Sequence, residues 1–184
     1  MRAAGALLLA AALTACGGSP TPSCPAAPLP SATPNPSADP DLAATIPDEV
    51  AGEPLDMATF CVSELDELGG IQTAPDMLQA LDVGLQDVTI AATSPRIGTA
   101  GGSISVGAYR YAGANEDTIR ETFLRLLNEG ATEAGMDAGI EEVTIGGKEV
   151  HRALGALYYV ADDTLYTVQS DNAEKVEEVL AALP

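Results

Sequence analysis

Val143-Thr144-Ile145-Gly146-Gly147-Lys148-Glu149-Val150 is the stretch that decides the fold class of this 184-residue chain. A glycine pair separates two β-patterned arms, and glycine takes the positive φ of a two-residue hairpin turn at little cost. If the two glycines form the loop, Val143 lies opposite Val150. In the same register Glu142 lies opposite His151. The stretch therefore predicts a tight antiparallel hairpin.

Further strands and helices flank this hairpin. Alternating apolar residues predict strands at 88–92 and 104–111, and a second hairpin is centred on Asp162-Asp163. Helical spacing predicts three helices, at 73–84, 115–128 and 172–183, and Asn115 and Asn172 are N-cap residues of the last two. Strands interspersed with a few helices predict an α+β domain, an antiparallel sheet with about three helices on one face.

A weak internal repeat runs through this layout. Residues 109–126 align with residues 166–183 at a constant shift of 57, which matches Asn115 to Asn172. The segment 48–55 also echoes the segment 141–150. Two interpretations stay open, a true duplication and the shared pattern of two strand–helix units.

The N-terminus carries a motif of a different kind. Leu13-Thr14-Ala15-Cys16 follows an apolar run at 3–12 and precedes two glycines. The motif resembles the lipobox of bacterial lipoprotein precursors. The resemblance implies that a signal peptidase cuts between Ala15 and Cys16, that diacylglycerol is joined to the Cys16 thiol, and that acyl chains such as palmitate hold the protein on the extracytoplasmic face of the cell membrane.

Two other interpretations of this segment are less favourable. A membrane-spanning helix needs about 20 apolar residues, and the run that ends at Leu13 is much shorter. An ordinary secretory signal fits Arg2 and the apolar run, but it does not require a cysteine after the cleavage site. Two acyl chains hold a protein stably on a bilayer, whereas one chain binds only reversibly.

The composition of the remaining chain predicts a proline-rich linker followed by a folded domain. Eight of the 21 residues between Pro20 and Pro40 are proline, which predicts a tether in polyproline II with a reach of about 65 Å. A proline-rich ligand for a partner is the alternative, but a basic flank is missing. The sequence predicts a signal peptide at 1–15, a lipidated cysteine and linker at 16–45, and one globular domain at 46–184.

Charge limits the partners. The formal net charge is −19, and loss of Arg2 on cleavage makes it −20. The eight basic residues form no stripe, so a nucleic-acid partner is not expected. The expected partners are the membrane, through the lipid on Cys16, and an unidentified protein or small molecule at the cell envelope.

Catalytic patterns are scarce in the sequence. The single histidine, His151, lies on a predicted strand opposite Glu142, and no G-x-S-x-G pattern accompanies it. The acidic pairs match no calcium loop, and solvated surface charge explains them. The glycines at 98, 101 and 102 precede a β-patterned run, whereas a phosphate loop precedes a helix. We expect no cofactor, no metal ion and no catalytic residue.

Two cysteines remain once Cys16 carries lipid. Cys24 lies in the linker and Cys61 in the domain, an even number in a compartment where disulfides persist. Their pairing is therefore favoured. The alternative is that Cys61, between Phe60 and Val62, is a buried small hydrophobic residue.

The sequence supports two hypotheses about function. The first is a lipid-anchored extracytoplasmic lipoprotein whose acidic domain binds or interacts at the envelope without catalysis. The second is an envelope hydrolase that depends on carboxylates or a metal ion. An enzyme must gather two acids, or His151 and an acid, in one concave pocket.

Overall fold

The computed structural model describes Cys24 and residues 37–64, 75–93 and 104–184. These residues contain nine strands: β1 (Glu49–Val50), β2 (Glu53–Pro54), β3 (Met57–Cys61), β4 (Val88–Thr93), β5 (Ile104–Tyr111), β6 (Glu141–Ile145), β7 (Lys148–Ala153), β8 (Ala156–Ala161) and β9 (Thr164–Ser170). They also contain four α-helices: α1 (Pro40–Ala43), α2 (Pro75–Leu81), α3 (Glu116–Glu133) and α4 (Ala173–Ala182). The predicted α+β class is confirmed.

Seven strands form one antiparallel sheet. Their order is β3-β4-β5-β9-β8-β7-β6, and β1 and β2 form a separate two-stranded hairpin. The predicted β6–β7 register is confirmed, since Val143 pairs with Val150 and Glu142 with His151. Gly146 and Gly147 have φ values of +59° and +80°, as a primed two-residue turn requires.

The helices cover both faces of the sheet, where the sequence predicted one. One core cluster joins α1 and α4 to the even-numbered positions of β5, including Val106. The other joins α2 and α3 to the opposite face, where Leu165 of β9 is fully buried. Successive residues of a strand point to opposite faces. The apolar runs of β8 and β9 have the composition of strands buried on both sides.

Asparagine caps begin the two long helices, as predicted. The Asn115 Oδ1 atom accepts hydrogen bonds from the backbone N–H groups of Asp117 and Thr118 at 3.0 and 3.3 Å. Asn172 caps α4 in the same way. However, α3 continues to Glu133, past the predicted end at residue 128. Ala131 in its last turn is buried, and Gly135, at φ +71°, supplies the left-handed residue that follows the end of the helix.

The folded domain begins earlier than the predicted residue 46. Asp39 and Leu42 are almost completely buried, and Ser37 forms a bridge to Thr59 on the edge strand β3. Asp39 also caps α1, whose first residue is Pro40. An aspartate followed by proline is a helix-start signal. It lies within a proline-rich stretch whose composition predicted only a tether.

Two links fasten this N-terminal segment to the sheet. The Asp39 carboxylate accepts hydrogen bonds from the Arg110 guanidinium at 2.8 and 2.9 Å and from the Thr89 hydroxyl at 2.7 Å. Cys24 and Cys61 form a disulfide, with sulfur atoms 2.00 Å apart and Cα atoms 5.5 Å apart. The second link joins residue 24 directly to β3.

The strand–helix pattern repeats along the chain, but the two units are not related by a simple rotation. β5 precedes α3, β9 precedes α4, and the two strands are antiparallel neighbours. A two-fold rotation that exchanges antiparallel neighbours keeps both helices on one face. Here α3 and α4 lie on opposite faces. This arrangement favours a shared pattern over a superposable duplication.

Candidate functional site

An aliphatic cleft of about 470 Å³ lies between the start of α4 and the β6–β7–β8 end of the sheet. We call it the aliphatic cleft, and its lining combines apolar side chains with a polar mouth: Ile145, Arg152, Gly155, Ala156, Leu157, Val168, Ser170, Asp171, Ala173, Val176 and Glu177. A volume of this size suits a small ligand or an inserted side chain.

These residues all lie between 145 and 177, on four successive strands and the helix that follows them. Leu157 and Val168 pair across β8 and β9 and point to the α4 face. Val176 lies in the first turns of α4, which Asn172 caps directly after β9. Ile145 ends β6 at the hairpin turn. The glycine pair and the asparagine cap therefore position two walls of the cleft.

The mouth of the aliphatic cleft carries both signs of charge. The Arg152 side chain is 53 % exposed, and its ion pair with Glu141 on the neighbouring strand is long, at 3.9 Å. Asp171 and Glu177 are exposed on the α4 side. An exposed ion pair of this kind contributes little to stability, so Arg152 is available to a ligand or partner at small cost.

A second, polar pocket of about 530 Å³ lies where β7 and β8 separate. These strands pair only between 151–153 and 156–158. The polar pocket is lined mainly by ionisable side chains from α3, β6, β7 and β8: Glu116, Arg120, Glu142, Gly147, Lys148, Glu149, His151, Tyr159 and Val160. This pocket brings His151 near three acidic side chains, as the sequence analysis required of an enzyme.

Most cations of the polar pocket already have partners. Arg120 binds Glu116 at 2.6 Å and Asp117 at 3.0 Å. The Lys148 ammonium donates to the Pro184 carbonyl at 2.6 Å and lies 4.9 Å from the centre of the Tyr159 ring. These groups are held by their own neighbours, so they are not poised to bind an anion.

His151 is half-buried beside the exposed Glu142 and Glu149. Within the described ranges, its side chain forms no hydrogen bond or ion pair with either acid, and no group of three His, Cys, Asp or Glu side chains is placed to hold a metal ion. A general base needs an acid that orients it and a nucleophile within hydrogen-bonding reach. The pocket collects acids and a histidine without joining them.

Four tyrosines are shielded by the two cores. Burial raises the pKa of Tyr109, Tyr111, Tyr158 and Tyr166 above the ordinary tyrosine value. Tyr158 packs against Phe123 of α3, with ring centres 4.8 Å apart. These phenols serve packing, since they line the core and neither pocket.

The lipobox, Cys16 and the glycines at 98, 101 and 102 lie outside the described residues. Within the described ranges, no helix is both long enough and apolar enough to cross a membrane. Sequence reasoning missed the aliphatic cleft, because its walls come from four strands and a helix. One signal was readable, the Leu154-Gly155 pair between two β-patterned runs, which marks a turn at the edge of the cleft.

Comparison of this chain with protein-family models, with curated proteins and with solved structures found no match.

Proposed function

We propose that the chain is a lipid-anchored protein of the extracytoplasmic membrane face, whose acidic α+β domain binds a ligand or partner through the aliphatic cleft and does not act as an enzyme. The observation that carries the proposal is the cleft itself, an aliphatic floor with charges confined to its mouth. Binding sites commonly combine a largely apolar lining with a few polar groups that fix orientation.

The lipobox resemblance and the disulfide together support a short anchor. If Cys16 carries the lipid, only residues 16–23 separate it from the cysteine bonded to Cys61. Eight residues in polyproline II span about 25 Å. The domain is then held near the bilayer.

The anchor is tested by membrane fractionation. Cys16→Ser should abolish labelling by radioactive palmitate and release the protein from membranes washed with carbonate. Cys24→Ser is the matched control, because it changes another cysteine and leaves the lipobox intact. A Cys16→Ser protein that stays in the washed membranes would contradict the lipid anchor.

The cleft is tested with a small aliphatic probe on the mature lipoprotein in lipid nanodiscs. Titration with 1-hexanol should shift the NMR signals of the labelled methyl groups that line the cleft, those of Ile145, Leu157, Val168 and Val176. Ala173→Phe should remove these shifts by filling the mouth. Ala182→Phe, at the other end of α4, should preserve them. Shifts that gather at the polar pocket instead would contradict the proposal.

A hydrolase is the second candidate, and one observation favours it: the polar pocket places His151 beside three glutamates. Glu142, opposite His151 on β6, is the acid best placed to orient the imidazole once a substrate binds. Chromogenic esters, phosphates and glycosides offered to the intact protein test this candidate. Hydrolysis that His151→Ala and Glu142→Gln each abolish would establish it, and would replace the non-catalytic proposal.

A further inference from the structure

Leu154 violates two local rules at once. It is a turn residue between β7 and β8 with φ +49°, followed by Gly155 at φ +81°. Glycine, asparagine and aspartate are the residues that tolerate this conformation. Leu154 is also 49 % exposed, and within the described ranges only Met136 is another large hydrophobic residue this exposed. Residues that break local rules without a structural gain are often functional.

Leu154 lies next to the aliphatic cleft. The next two residues, Gly155 and Ala156, line the aliphatic cleft, while Leu154 itself is not part of the lining. The surface therefore carries a protruding leucine directly beside an aliphatic cavity. A knob and a hole that adjoin on one surface are self-complementary under a two-fold axis, because each contact then occurs twice.

We propose that two copies of this chain dock through this surface, so that Leu154 of each copy enters the aliphatic cleft of the other. The inference rests on the proposed function, in which the cleft is the binding surface, and it identifies the partner as a second copy. Anchoring in one membrane favours the contact, because confinement raises the effective concentration of each copy for the other.

Charge at the cleft mouth agrees with a second copy as the occupant. The domain is strongly acidic, so close approach of two copies requires local compensation. Arg152 supplies a cation at the mouth, and its ion pair among the described residues is a long one, 3.9 Å to Glu141. Asp171 and Glu177 lie across the same mouth. Two-fold docking brings the arginine of each copy toward the acids of the other, which sets the orientation.

The test uses the intact mature lipoprotein in membrane vesicles from the cells that produce it. The photo-crosslinker p-benzoylphenylalanine replaces Glu174, which is next to Ala173 at the cleft mouth and does not itself line the cleft. Illumination should give a product of twice the chain mass, with the crosslink mapped to residues 153–156 of the other copy. Monomer-mass products alone, or crosslinks to a different protein, would overturn the proposal.

Leu154→Asn separates docking from folding. Asparagine suits positive φ better than leucine, so this variant should melt at a higher temperature when both proteins are measured as dilute monomers, where docking does not add to stability. Its yield of crosslinked dimer should nevertheless fall about tenfold or more, as for loss of a central apolar anchor. Met136→Asn, the matched control, should leave the yield unchanged. An unchanged yield in Leu154→Asn would overturn the proposal, and so would a lower melting temperature, which would make Leu154 structural.

The hexanol titration distinguishes this inference from the proposed function. Methyl shifts at the cleft without a crosslinked dimer would reject the second copy and keep the cleft as a binding site. A crosslinked dimer without methyl shifts would support the docking surface and reject the binding of small aliphatic ligands.

Discussion

Asp39→Asn should unfold the N-terminal segment from the sheet and lower the stability of the whole domain. In the wild type Asp39 is 2 % exposed. Its carboxylate accepts hydrogen bonds from the Arg110 guanidinium, the Thr89 hydroxyl and the Leu42 N–H group. The variant keeps one carbonyl oxygen for the cap but removes the charge that faces Arg110. A cation that is about four-fifths buried then loses its main counter-ion.

Most of the expected loss of stability in Asp39→Asn comes from breaking the ion pair, and less of it comes from weakening the helix cap. Breaking a buried pair by removing one partner costs about 3–5 kcal/mol, and losing an N-cap costs about 1 kcal/mol. The Arg110 side chain is 19 % exposed and keeps a contact of 3.7 Å with Asp163. We therefore expect a loss near the lower limit, about 3 kcal/mol.

Urea denaturation of the purified protein measures this loss. Asp41→Asn is the matched control, since it makes the same change on an exposed residue of the same short helix and should alter stability by no more than about 0.5 kcal/mol. Arg110→Met combined with Asp39→Asn should cost less than the two single changes together. Equal losses in Asp39→Asn and Asp41→Asn, or strict additivity with Arg110→Met, would refute a coupled buried pair.

Three further predictions concern the hairpin, the tyrosines and the disulfide. Gly147→Ala should cost about 1 kcal/mol, because only its left-handed φ is strained, whereas Gly146→Ala should cost clearly more in urea denaturation. An added Cβ at Gly146 meets the backbone of α4 at 3.0 and 3.2 Å, while at Gly147 no atom of the described residues lies within 4 Å; equal losses would contradict contact between the hairpin and α4. Between neutral pH and about pH 10 the tyrosines should leave stability level, and above that it should fall by about 1.4 kcal/mol per pH unit for each fully shielded tyrosine, because the unfolded chain ionises first; Tyr111→Phe should flatten the decline, and a level profile to pH 11 would refute the raised pKa values. A thiol assay on the denatured, unreduced mature protein should find no free thiol, and reduction should cost about 4 kcal/mol for a loop closed across 37 residues in the chain-entropy model; two free thiols would contradict the pairing.

The hairpin and the helix starts could be predicted because each depends on residues close in sequence. Two glycines specify a primed turn, and Asn115 and Asn172 satisfy backbone donors two and three positions ahead. In natural sequences such local choices generally agree with the global fold. The end of α3 could not be read locally, because the buried Ala131 sustains the helix through Gly130.

The two-sided core and the site depended on contacts that are remote in sequence. Residues 157–160 and 165–168 place apolar side chains on both faces of the sheet, a pattern of doubly covered strands that also fits a half-exposed hairpin with aromatic residues. The boundary at residue 46 was wrong because bulk composition outweighed the Asp39-Pro40 start signal. Ile145 and Val176 both line the aliphatic cleft because α4 packs beside β6. Hydrophobic periodicity predicts each element by itself and does not show how close these two residues lie.

The sheet order separates the disulfide, next to which the lipid anchor is proposed, from the proposed binding surface. Cys61 and the bridge to Ser37 lie on β3, one edge of the sheet, whereas β6 forms the other edge and contributes Ile145 to the cleft. Six strand spacings of about 4.8 Å put these edges about 29 Å apart. If the proposed lipid on Cys16 ties the chain to the membrane, the disulfide places that tie at β3 and the cleft lies toward the opposite edge of the sheet. Under the two proposals, two copies would then approach through their β6 ends without bringing their tethers together, and both the disulfide and the Asp39–Arg110 pair would be needed to keep the tether at β3.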